Sequence, residues 1–392
     1  MLKREIAEKL VTLAQGFPVV TVTGPRQSGK TTLVREVYPE YTYLNLENID
    51  TMMAAKEDPR AFLSGYQDRG VIIDEAQKVP ELFSYLQGIV DESGQMGRYI
   101  LTGSQNFLLL EKITQSLAGR AGILHLLPFS EVELEAGGLG QHDLDTALFY
   151  GKYPPIFDRP VAPADFYLSY IETYIERDVR TMKNIGDLSL FRKFLLLCAG
   201  RTGQLLNTSA LGNEVGVDQK TIRSWLSILE ASFIIFLLRP YHRNWNKRVV
   251  KQPKLYFYDT GLLCSLLGLK ETRDVSSHYM RGSIFEGMVI TEYLKSQYNR
   301  GLRPAAYFWR DHSGHEVDLL LENGASLCAL EIKSSSTLHT SFFDGLKWFA
   351  RQTGLAASNC ALVYGGDSRQ SRTAGEVYPW RDLPWGNGGS NK

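Results

Sequence analysis

Residues 19–31 of this 392-residue chain read Val-Val-Thr-Val-Thr-Gly-Pro-Arg-Gln-Ser-Gly-Lys-Thr. The first five are β-branched and predict a strand, and the last eight fit the phosphate-binding pattern G-x-x-x-x-G-K-[ST] without a mismatch. The residues after Thr31 read as the first turns of a helix, so the loop joins a strand to a helix. Because glycines let successive N–H groups turn towards phosphate oxygens, this stretch predicts a nucleotide-binding loop.

Two residues at the end of this loop have specific expected roles. Lys30 is expected to reach the β- and γ-phosphates, and the Thr31 hydroxyl to ligate Mg²⁺, so ATP and Mg²⁺ are the expected cofactors. The residues expected to bind them are Gly24, Pro25, Arg26, Gln27, Ser28, Gly29, Lys30, Thr31, Thr32 and Asp74. A glycine-rich turn that happens to precede a lysine is the alternative, and the flanking strand and helix weigh against it.

Two acids, Asp74 and Glu75, end an apolar segment that begins at residue 70. In a phosphate-loop protein, an aspartate at the end of such a strand holds the Mg²⁺ shell, and a neighbouring glutamate can polarise the attacking water. Asp74 is therefore the predicted metal partner, and Glu75 is the predicted general base of ATP hydrolysis. The alternative is a capped strand with two solvated acids.

Ser104 and Arg120 are further catalytic candidates. Ser104 follows the predicted strand at residues 99–102, where a polar side chain can sense the γ-phosphate, although Gly-Ser pairs also form ordinary turns. Arg120 can act as an arginine finger or sensor that neutralises transition-state charge, although a single arginine is often only solvated. The sequence leaves open whether Arg120 acts in its own chain or in a neighbouring one.

Composition limits the other partners. The chain has 43 basic and 43 acidic residues, so any attraction to nucleic acid must be local. Its four cysteines are scattered without a C-x-x-C pair, which argues against zinc and disulfides and is typical of a reducing cytoplasm. No run of 18 apolar residues occurs, and the N-terminus lacks the apolar core of a signal peptide. We therefore expect a cytoplasmic protein without a membrane partner.

Residues 188–240 have the spacing of a helix-turn-helix. Helices are predicted near residues 189–201, from Asn207 or Thr208 onwards, and at residues 219–231, with Asp218 placed to cap the last. Two predicted strands, at residues 234–238 and 254–258, complete the pattern of a winged helix.

A basic segment follows this helix-turn-helix. Between residues 239 and 254 there are six cations and no acid, namely Arg239, Arg243, Lys247, Arg248, Lys251 and Lys254. Cations can neutralise phosphates, and the aromatic residues among them can stack on bases. The DNA-binding candidates are Lys220, Arg223, Arg243, Lys247 and Arg248. A winged helix packed inside the protein, with a solvated basic hairpin, is the alternative.

A second group of acids lies near the C-terminus. Asp318 and Glu331, on consecutive predicted strands, can face each other across a hairpin, and Lys333 shares the face of Glu331. Glu286, on a predicted helix, can complete the set. Two carboxylates and a lysine at one edge are typical of metal-assisted phosphodiester hydrolysis, in which the carboxylates ligate Mg²⁺. The alternative is an alternating strand with a polar outer face.

Several stretches of the chain resemble a prokaryotic group of ATPases within the AAA superfamily. They are GPRQSGKTT at 24–32, VIIDEAQ at 71–77, LTGSQ at 101–105, SLAGR at 116–120, YIERDVR at 174–180, KRVVKQPKLYFYDTG at 247–261, and the segment 308–333. The resemblance covers the whole chain. It implies an N-terminal AAA-type ATPase domain that binds ATP, and a C-terminal domain to which that group assigns no function.

The set Glu286, Asp318, Glu331 and Lys333 resembles the PD-(D/E)xK nuclease family. Val317 stands where that family's pattern has a proline, which lowers the specificity of the match. The resemblance implies a nuclease-like fold, and such folds also serve as inert binding platforms.

The predicted fold class is α/β with five segments. They are an AAA-type P-loop ATPase domain (1–136), a helical connector (137–185), a central winged-helix domain (186–260), a PD-(D/E)xK-like α/β domain (261–385) and a disordered tail (386–392). One hypothesis couples ATP hydrolysis to DNA binding and metal-dependent DNA cleavage. The other is a nucleotide-switched regulator or DNA-binding protein whose nuclease-like domain only binds a partner. The sequence does not decide whether the protein is an oligomer.

Overall fold

The computed structural model describes residues 2–66, 69–104, 109, 113, 115–175, 187–241, 250–324 and 326–385. Two sheets organise these residues, one of five strands in the first third of the chain and one of eight strands nearer its end. Within the described ranges, we find no helix that combines the length and the apolar character needed to cross a bilayer.

The five-stranded sheet is parallel throughout. Its strands are β1 (Val19–Thr23), β2 (Thr42–Asn45), β3 (Val71–Asp74), β4 (Tyr99–Gly103) and β5 (Ala121–His125). The surrounding helices are α1 (Ala7–Gly16), α2 (Lys30–Val37), α3 (Ile49–Glu57), α4 (Pro59–Ser64) and α5 (Glu81–Ser93). The strands lie in the order β2-β3-β4-β1-β5. The strands predicted at residues 19–23 and 99–102 are confirmed as β1 and β4, and the apolar segment that ends at Asp74 is confirmed as β3.

Both faces of this sheet are apolar. Val19, Ile73 and Leu101 belong to one core cluster, whereas Val20 and Ile72 belong to another. Successive side chains of a strand point to opposite faces, so a strand covered on both sides reads as an unbroken apolar run. The loops that leave the carboxyl ends of the five strands meet at one edge, where α/β proteins place ligand-binding residues.

The middle of the chain is helical. Its helices are α6 (Glu131–Ala136), α7 (Leu144–Tyr150), α8 (Pro154–Asp158), α9 (Pro163–Tyr170), α10 (Leu188–Ala199), α11 (Thr208–Val215) and α12 (Gln219–Ala231). The predicted caps of α11 and α12 are confirmed, because Asn207 and Asp218 accept hydrogen bonds from N–H groups of the first turns. A π-helical turn, Ile171–Ile175, follows α9, and residues 176–185 of the predicted helical connector lie outside the described residues.

A hairpin of β6 (Ile235–Pro240) and β7 (Lys254–Phe257) follows α12, where the sequence places the strands of the wing. The far end of β6 also joins the next sheet, because Arg239 pairs in parallel with Tyr307. The domain boundary predicted at residue 260 therefore falls between strands that belong to one eight-stranded sheet. Residues 242–249, between the two strands, lie outside the described part of the chain.

The rest of the chain completes the eight-stranded sheet. Its elements are α13 (Thr260–Leu266), α14 (Thr272–Ser277), α15 (Arg281–Asn299), β8 (Ala306–Arg310), β9 (Glu316–Asn323), β10 (Ser326–Lys333), α16 (Asp344–Thr353), β11 (Cys360–Tyr364), β12 (Gln370–Arg372) and β13 (Gly375–Pro379). The strand order is β12-β13-β11-β10-β9-β8-β6-β7. The predicted strands that carry Asp318 and Glu331 are confirmed as β9 and β10, and the predicted helix that carries Glu286 is confirmed as α15. β9 and β10 form an antiparallel hairpin, as predicted.

A buried charge network joins the first, middle and last parts of the chain. Lys152 Nζ contacts Glu131, and it lies 3.0 Å from Glu292 Oε1; Lys295 Nζ lies 2.8 Å from the same oxygen. Burial would raise the pKa of Glu292, but the two lysines outweigh it and lower that pKa to about 2. Breaking a buried ion pair by removing one partner costs about 3–5 kcal/mol. The network therefore holds α15 against α6.

Candidate functional site

The loop after β1 uses backbone conformations that glycine favours. Gly24 has a φ of +149°, and a Cβ on it would lie 2.1 Å from the carbonyl oxygen of Leu126. Gly29 has a φ of +92° and is the N-cap of α2. A side chain at Gly24 would collide with the neighbouring backbone, and one at Gly29 would be strained. The curled loop thus lies at the N-terminus of α2, where N–H groups and the helix dipole attract phosphate.

Lys30 and Thr31 begin α2 beside the end of β3. Lys30 Nζ donates hydrogen bonds to the carbonyl oxygens of Gly24 (3.0 Å) and Pro25 (2.7 Å), so the ammonium group lies inside the curl of the loop. The Thr31 hydroxyl donates to Asp74 Oδ2 at 2.8 Å. The fold thus brings together the predicted phosphate-binding lysine and the two predicted Mg²⁺ partners.

Asp74 is fixed by hydroxyl groups from neighbouring strands. Tyr43 on β2 donates to Asp74 Oδ2 at 2.7 Å, and Thr102 on β4 donates to Asp74 Oδ1. Burial, and then the hydrogen bond to Asp74, raises the pKa of Tyr43. A carboxylate and the Thr31 hydroxyl are oxygen donors of the kind that Mg²⁺ takes in company with substrate phosphates, so these residues fit the metal. Tyr43 and Thr102 are partners that the sequence analysis misses.

Glu75 has an unusual backbone for a residue that is not glycine, with a φ of +56°. Its Oε2 atom accepts hydrogen bonds from Ser104 Oγ (3.0 Å) and from Gln77 Nε2. The candidate base is therefore held in place by the candidate sensor Ser104. Gln77 is an additional hydrogen-bond partner of Glu75. It ends the stretch VIIDEAQ, one of the stretches that resemble the ATPase group. A left-handed backbone at a residue other than glycine costs energy and persists only where the surrounding structure enforces it. Such residues are enriched at functional sites.

The middle helices complete the cavity beside the loop. Its walls comprise Arg26, Gln27, Gly29, Lys30, Thr31, Thr32, Glu47, Glu75, Ser104, Pro154, Pro155, Asp158, Arg159 and Tyr174. Gln27 Nε2 donates to the Tyr174 hydroxyl at 2.7 Å, and the Arg26 guanidinium lies 5.5 Å from the centre of the Tyr174 ring. The cavity residues from α8 to the π-helical turn are far from the loop in sequence, and among them only Tyr174 belongs to a stretch that resembles the ATPase group, namely YIERDVR.

Arg4 is a further residue that contacts the phosphate-binding loop and that the sequence analysis misses. It lies before α1 and is only 7% exposed. Its guanidinium donates to the carbonyl oxygens of Ser28 (2.9 Å) and Leu127 (2.7 Å), and its Nε atom lies 3.0 Å from Glu133 Oε1. Arg4 therefore ties the phosphate-binding loop to α6.

The structure places Arg120 away from the loop. Its carbonyl oxygen accepts from the N–H of Val19, the first residue of β1, whereas the loop follows the last residue of that strand. Its guanidinium pairs with Asp91 at 2.6 and 2.8 Å. Arg120 directly precedes β5, which runs parallel to β1, so the length of β1 separates it from the loop and the predicted action on the nucleotide of its own chain does not fit. An action on a neighbouring subunit stays a prediction.

The DNA-binding candidates have different positions. Lys220 and Arg223 are exposed on α12, and Arg223 and Lys251 line a groove between α11, α12 and the hairpin. The other three candidates, Arg243, Lys247 and Arg248, lie outside the described residues. Lys254, the last cation of the basic segment, is 3% exposed and faces the C-terminal acids. Its interpretation as part of a DNA-facing strip is wrong, because its ammonium group is buried.

The hairpin of β9 and β10 gathers predicted residues of the C-terminal group. Lys333 Nζ lies 2.7 Å from Glu331 Oε1 and 3.2 Å from Asp318 Oδ2. Asp318 Oδ2 also accepts from the N–H of Ile332 at 2.8 Å, and Glu331 Oε2 is buried without a hydrogen-bond donor. Burial, with Asp318 nearby, raises the pKa of Glu331 to about 8.

Residues of β7 complete this group. Lys254 Nζ lies 3.0 Å from Glu286 Oε1 and contacts Glu316, and the Tyr256 hydroxyl also donates to Glu286. Burial would lower the pKa of Lys254, but the nearby carboxylates outweigh it and raise that pKa. In the part of the chain that the structure describes, no three His, Cys, Asp or Glu residues are arranged to hold a metal ion. The Mg²⁺ site predicted at Glu286, Asp318 and Glu331 does not fit these contacts.

Three family models match successive segments of the chain. Residues 16–135 match an AAA domain, residues 141–273 match a domain of unknown function (DUF8612), and residues 281–383 match a domain of unknown function (DUF4143). The AAA match contains the phosphate-binding loop, Asp74, Glu75 and Ser104. It supports ATP binding or hydrolysis by this chain.

Two solved structures show limited similarity to the chain. A Walker-type ATPase of Pyrococcus abyssi is 15% identical with a TM-score of 0.40, covering 67% of this chain and 94% of that one. A RuvB variant of Thermotoga maritima is 18% identical with a TM-score of 0.30, covering 61% of this chain and 90% of that one.

Relatives match the chain over most of its length. Uncharacterized proteins of Mycobacterium tuberculosis and Mycobacterium bovis are each 31% identical over 374 residues, which is 94% of this chain and 81% of each relative. An uncharacterized protein of Haemophilus influenzae is 24% identical over 332 residues, covering 76% of this chain and 80% of that protein. The N-terminal part of this chain matches an AAA domain and its C-terminal part a DUF4143 domain, and the chain belongs to the family of the two mycobacterial proteins.

Proposed function

We propose that this protein is a Mg²⁺-dependent ATP hydrolase. The observation that carries the proposal is the hydrogen bond of 2.8 Å between the Thr31 hydroxyl and Asp74, which places the predicted metal partners together at the phosphate-binding loop. Glu75, the next residue, lines the same cavity and is oriented by Ser104. This arrangement supplies a phosphate-binding lysine, oxygen ligands for Mg²⁺ and a base at one edge of the sheet.

Each residue has a distinct task in this proposal. The ammonium group of Lys30 balances charge on the β- and γ-phosphates, and the loop N–H groups hold their oxygens. Thr31 and Asp74 would hold Mg²⁺, which neutralises phosphate charge when it is bound with ATP. The Glu75 carboxylate accepts a proton from the attacking water, and Ser104 keeps that carboxylate in position. Phosphoryl transfer needs positioning and charge stabilisation more than covalent chemistry, and this site provides both.

The purified protein is expected to release phosphate from ATP when Mg²⁺ is present and to stop when EDTA removes the metal. The physical reason is that phosphoryl transfer requires charge neutralisation that Lys30 alone does not supply. A coupled phosphate-release assay measures turnover, and equilibrium dialysis with labelled ATP measures binding separately. Firm Mg²⁺-ATP binding without any turnover would contradict hydrolysis and leave a nucleotide switch.

DNA binding is a second candidate function, and exposed cations beside the groove of α11, α12 and the hairpin favour it. The order of these helices and strands is that of a winged helix, and we propose this assignment for residues 188–257. In such domains the second helix of the helix-turn-helix, here α12, enters the major groove. This function fits a nucleotide-switched DNA-binding protein.

Replacing both Lys220 and Arg223 with alanine is expected to weaken DNA binding equally for all sequences and to reduce the salt slope by about two. Each lost phosphate contact removes one released counterion from the binding equilibrium. Fluorescence anisotropy over a series of salt concentrations measures both quantities. A matched control replaces Lys347 and Arg351, two exposed cations on α16, and should bind as the wild type does. Identical affinity and slope in the α12 variant would refute the proposed surface.

Metal-dependent DNA cleavage at Glu286, Asp318, Glu331 and Lys333 stays a prediction of the sequence. It requires a divalent ion among acids that already contact Lys254 and Lys333. For this reason we do not include cleavage in the proposed function.

A further inference from the structure

Four carboxylates gather beside β7, and we call Glu286, Glu316, Asp318 and Glu331 the acidic cluster. We infer that Lys254 supplies the cation that this acidic cluster would otherwise take from solution, so that the cluster does not bind a divalent metal while Lys254 is in place. The inference goes beyond the proposed ATP hydrolysis and concerns a different part of the molecule. It replaces the metal site that the nuclease resemblance implies with an internal ion-pair site.

Each member of the acidic cluster has at least one cation beside it, although Glu331 Oε2 is buried without a donor. Lys254 contacts Glu286 and Glu316, and Lys333 contacts the other two carboxylates. Arg310 lies 3.2 Å from the second oxygen of Glu316. Carboxylates that are this close and largely buried need positive charge, because neither solvent nor each other can stabilise them. The chain provides that charge from two lysines and an arginine.

The position of Lys254 is fixed by its strand. It is 3% exposed, and its Nζ atom lies 5.5 Å from the centre of the Phe308 ring. Its backbone pairs with Leu238 of β6 on one side and forms a bridge with Leu205 on the other. The backbone of Lys254 is therefore fixed beside the acidic cluster, and its buried ammonium group has the carboxylates and the Phe308 ring as neighbours. A divalent ion that bridged the carboxylates would lie beside this fixed positive charge and be repelled.

Lys254 enters the acidic cluster from outside the matched C-terminal domain. It lies within the segment 141–273, whereas the four acids lie within the segment 281–383. Tyr256, two residues further along β7 and on the same face, makes the second contact with Glu286. Side chains of the hairpin that borders α11 and α12 thus also contact the acidic cluster. A pattern of acids read from the C-terminal segment alone contains no sign of this contact.

The test replaces Lys254 with methionine, which keeps an unbranched apolar chain and removes the charge. The full-length variant is compared with the otherwise wild-type protein, both without nucleotide and both in a Thr31→Ala background that removes a predicted metal ligand at the phosphate loop. The probe is Mn²⁺ alone, with free Mn²⁺ followed by electron paramagnetic resonance and the unfolding midpoint followed by calorimetry. We expect Lys254→Met to unfold at a lower temperature in EDTA, to bind an additional Mn²⁺ and to regain stability with it. Wild type should show neither response.

Two further variants make the result specific. Lys254→Arg keeps the positive charge and should bind no additional Mn²⁺, and Lys254→Met combined with Asp318→Asn should lose the Mn²⁺ that the single variant gains. If Lys254→Met does not fold even with Mn²⁺, Lys254→Gln carries the same comparison. If neither neutral variant folds, wild type and Asp318→Asn alone decide the matter. Mn²⁺ binding by wild type that disappears in Asp318→Asn overturns the inference, whereas its absence supports it. A folded neutral variant that gains no Mn²⁺ also overturns it.

Discussion

Replacing Lys30 with alanine is expected to weaken ATP binding by about 100-fold or more and to abolish measurable hydrolysis. Lys30 is buried inside the curl of the loop, and its ammonium group already donates to two loop carbonyl oxygens. Alanine removes a positive charge from the position where the β- and γ-phosphates are expected. The loop N–H groups and Mg²⁺ then face the phosphate charges without the positive charge of the lysine.

Anisotropy of a fluorescent ATP analogue measures the binding change, and phosphate release measures turnover. A matched control is Lys56→Ala, which removes an exposed lysine from α3 in the same domain. Lys56→Ala should bind and hydrolyse ATP as the wild type does, because its side chain does not line the cavity. Unchanged ATP affinity in Lys30→Ala would show that the nucleotide binds elsewhere.

Replacing Glu75 with glutamine is expected to leave ATP binding nearly unchanged and to reduce turnover by about 10²–10⁴-fold. Glutamine has the same shape, and its amide oxygen can still accept the hydrogen bond from Ser104. It cannot accept a proton from the attacking water at neutral pH. The variant should therefore hold ATP without hydrolysing it.

Single-turnover phosphate release with saturating protein measures the chemical step directly. Glu47→Gln is the matched control, because Glu47 also lines the cavity but does not follow the aspartate at the end of β3. It should hydrolyse ATP at close to the rate of the wild type. A wild-type rate in Glu75→Gln would remove Glu75 from the mechanism and leave the Thr31 and Asp74 assignments standing.

The sequence predicts well which side chains meet around the phosphate-binding loop, because the signals for them are local. Gly24 and Gly29 specify loop backbone within a few residues, and Asp74 ends an apolar run that can only be a buried strand. In a parallel sheet all such strand ends meet at one edge, so local signals assemble into a site without further information. The helix caps at Asn207 and Asp218 follow from local rules in the same way.

Residues whose role depends on distant pairing could not be predicted. Lys254 sits among cations in the sequence, and only the pairing of β6 with both β7 and β8 turns it towards the acidic cluster. Arg120 has the right residue type for an arginine finger, but it precedes β5 and so lies at the edge of the parallel sheet opposite the loop. Arg4 and Tyr174 reach the loop through tertiary packing, which leaves no periodic signal.

The buried network of Lys152, Glu131, Glu292 and Lys295 has a consequence for how this protein can be divided or recombined. Each of the three matched segments contributes at least one charge that another segment neutralises. A fragment cut at residue 281 would carry Glu292 and Lys295 without Lys152, and its sheet would lose β6 and β7 from one side. The segments are therefore not interchangeable modules, and a chimaera with a relative must exchange these charges together.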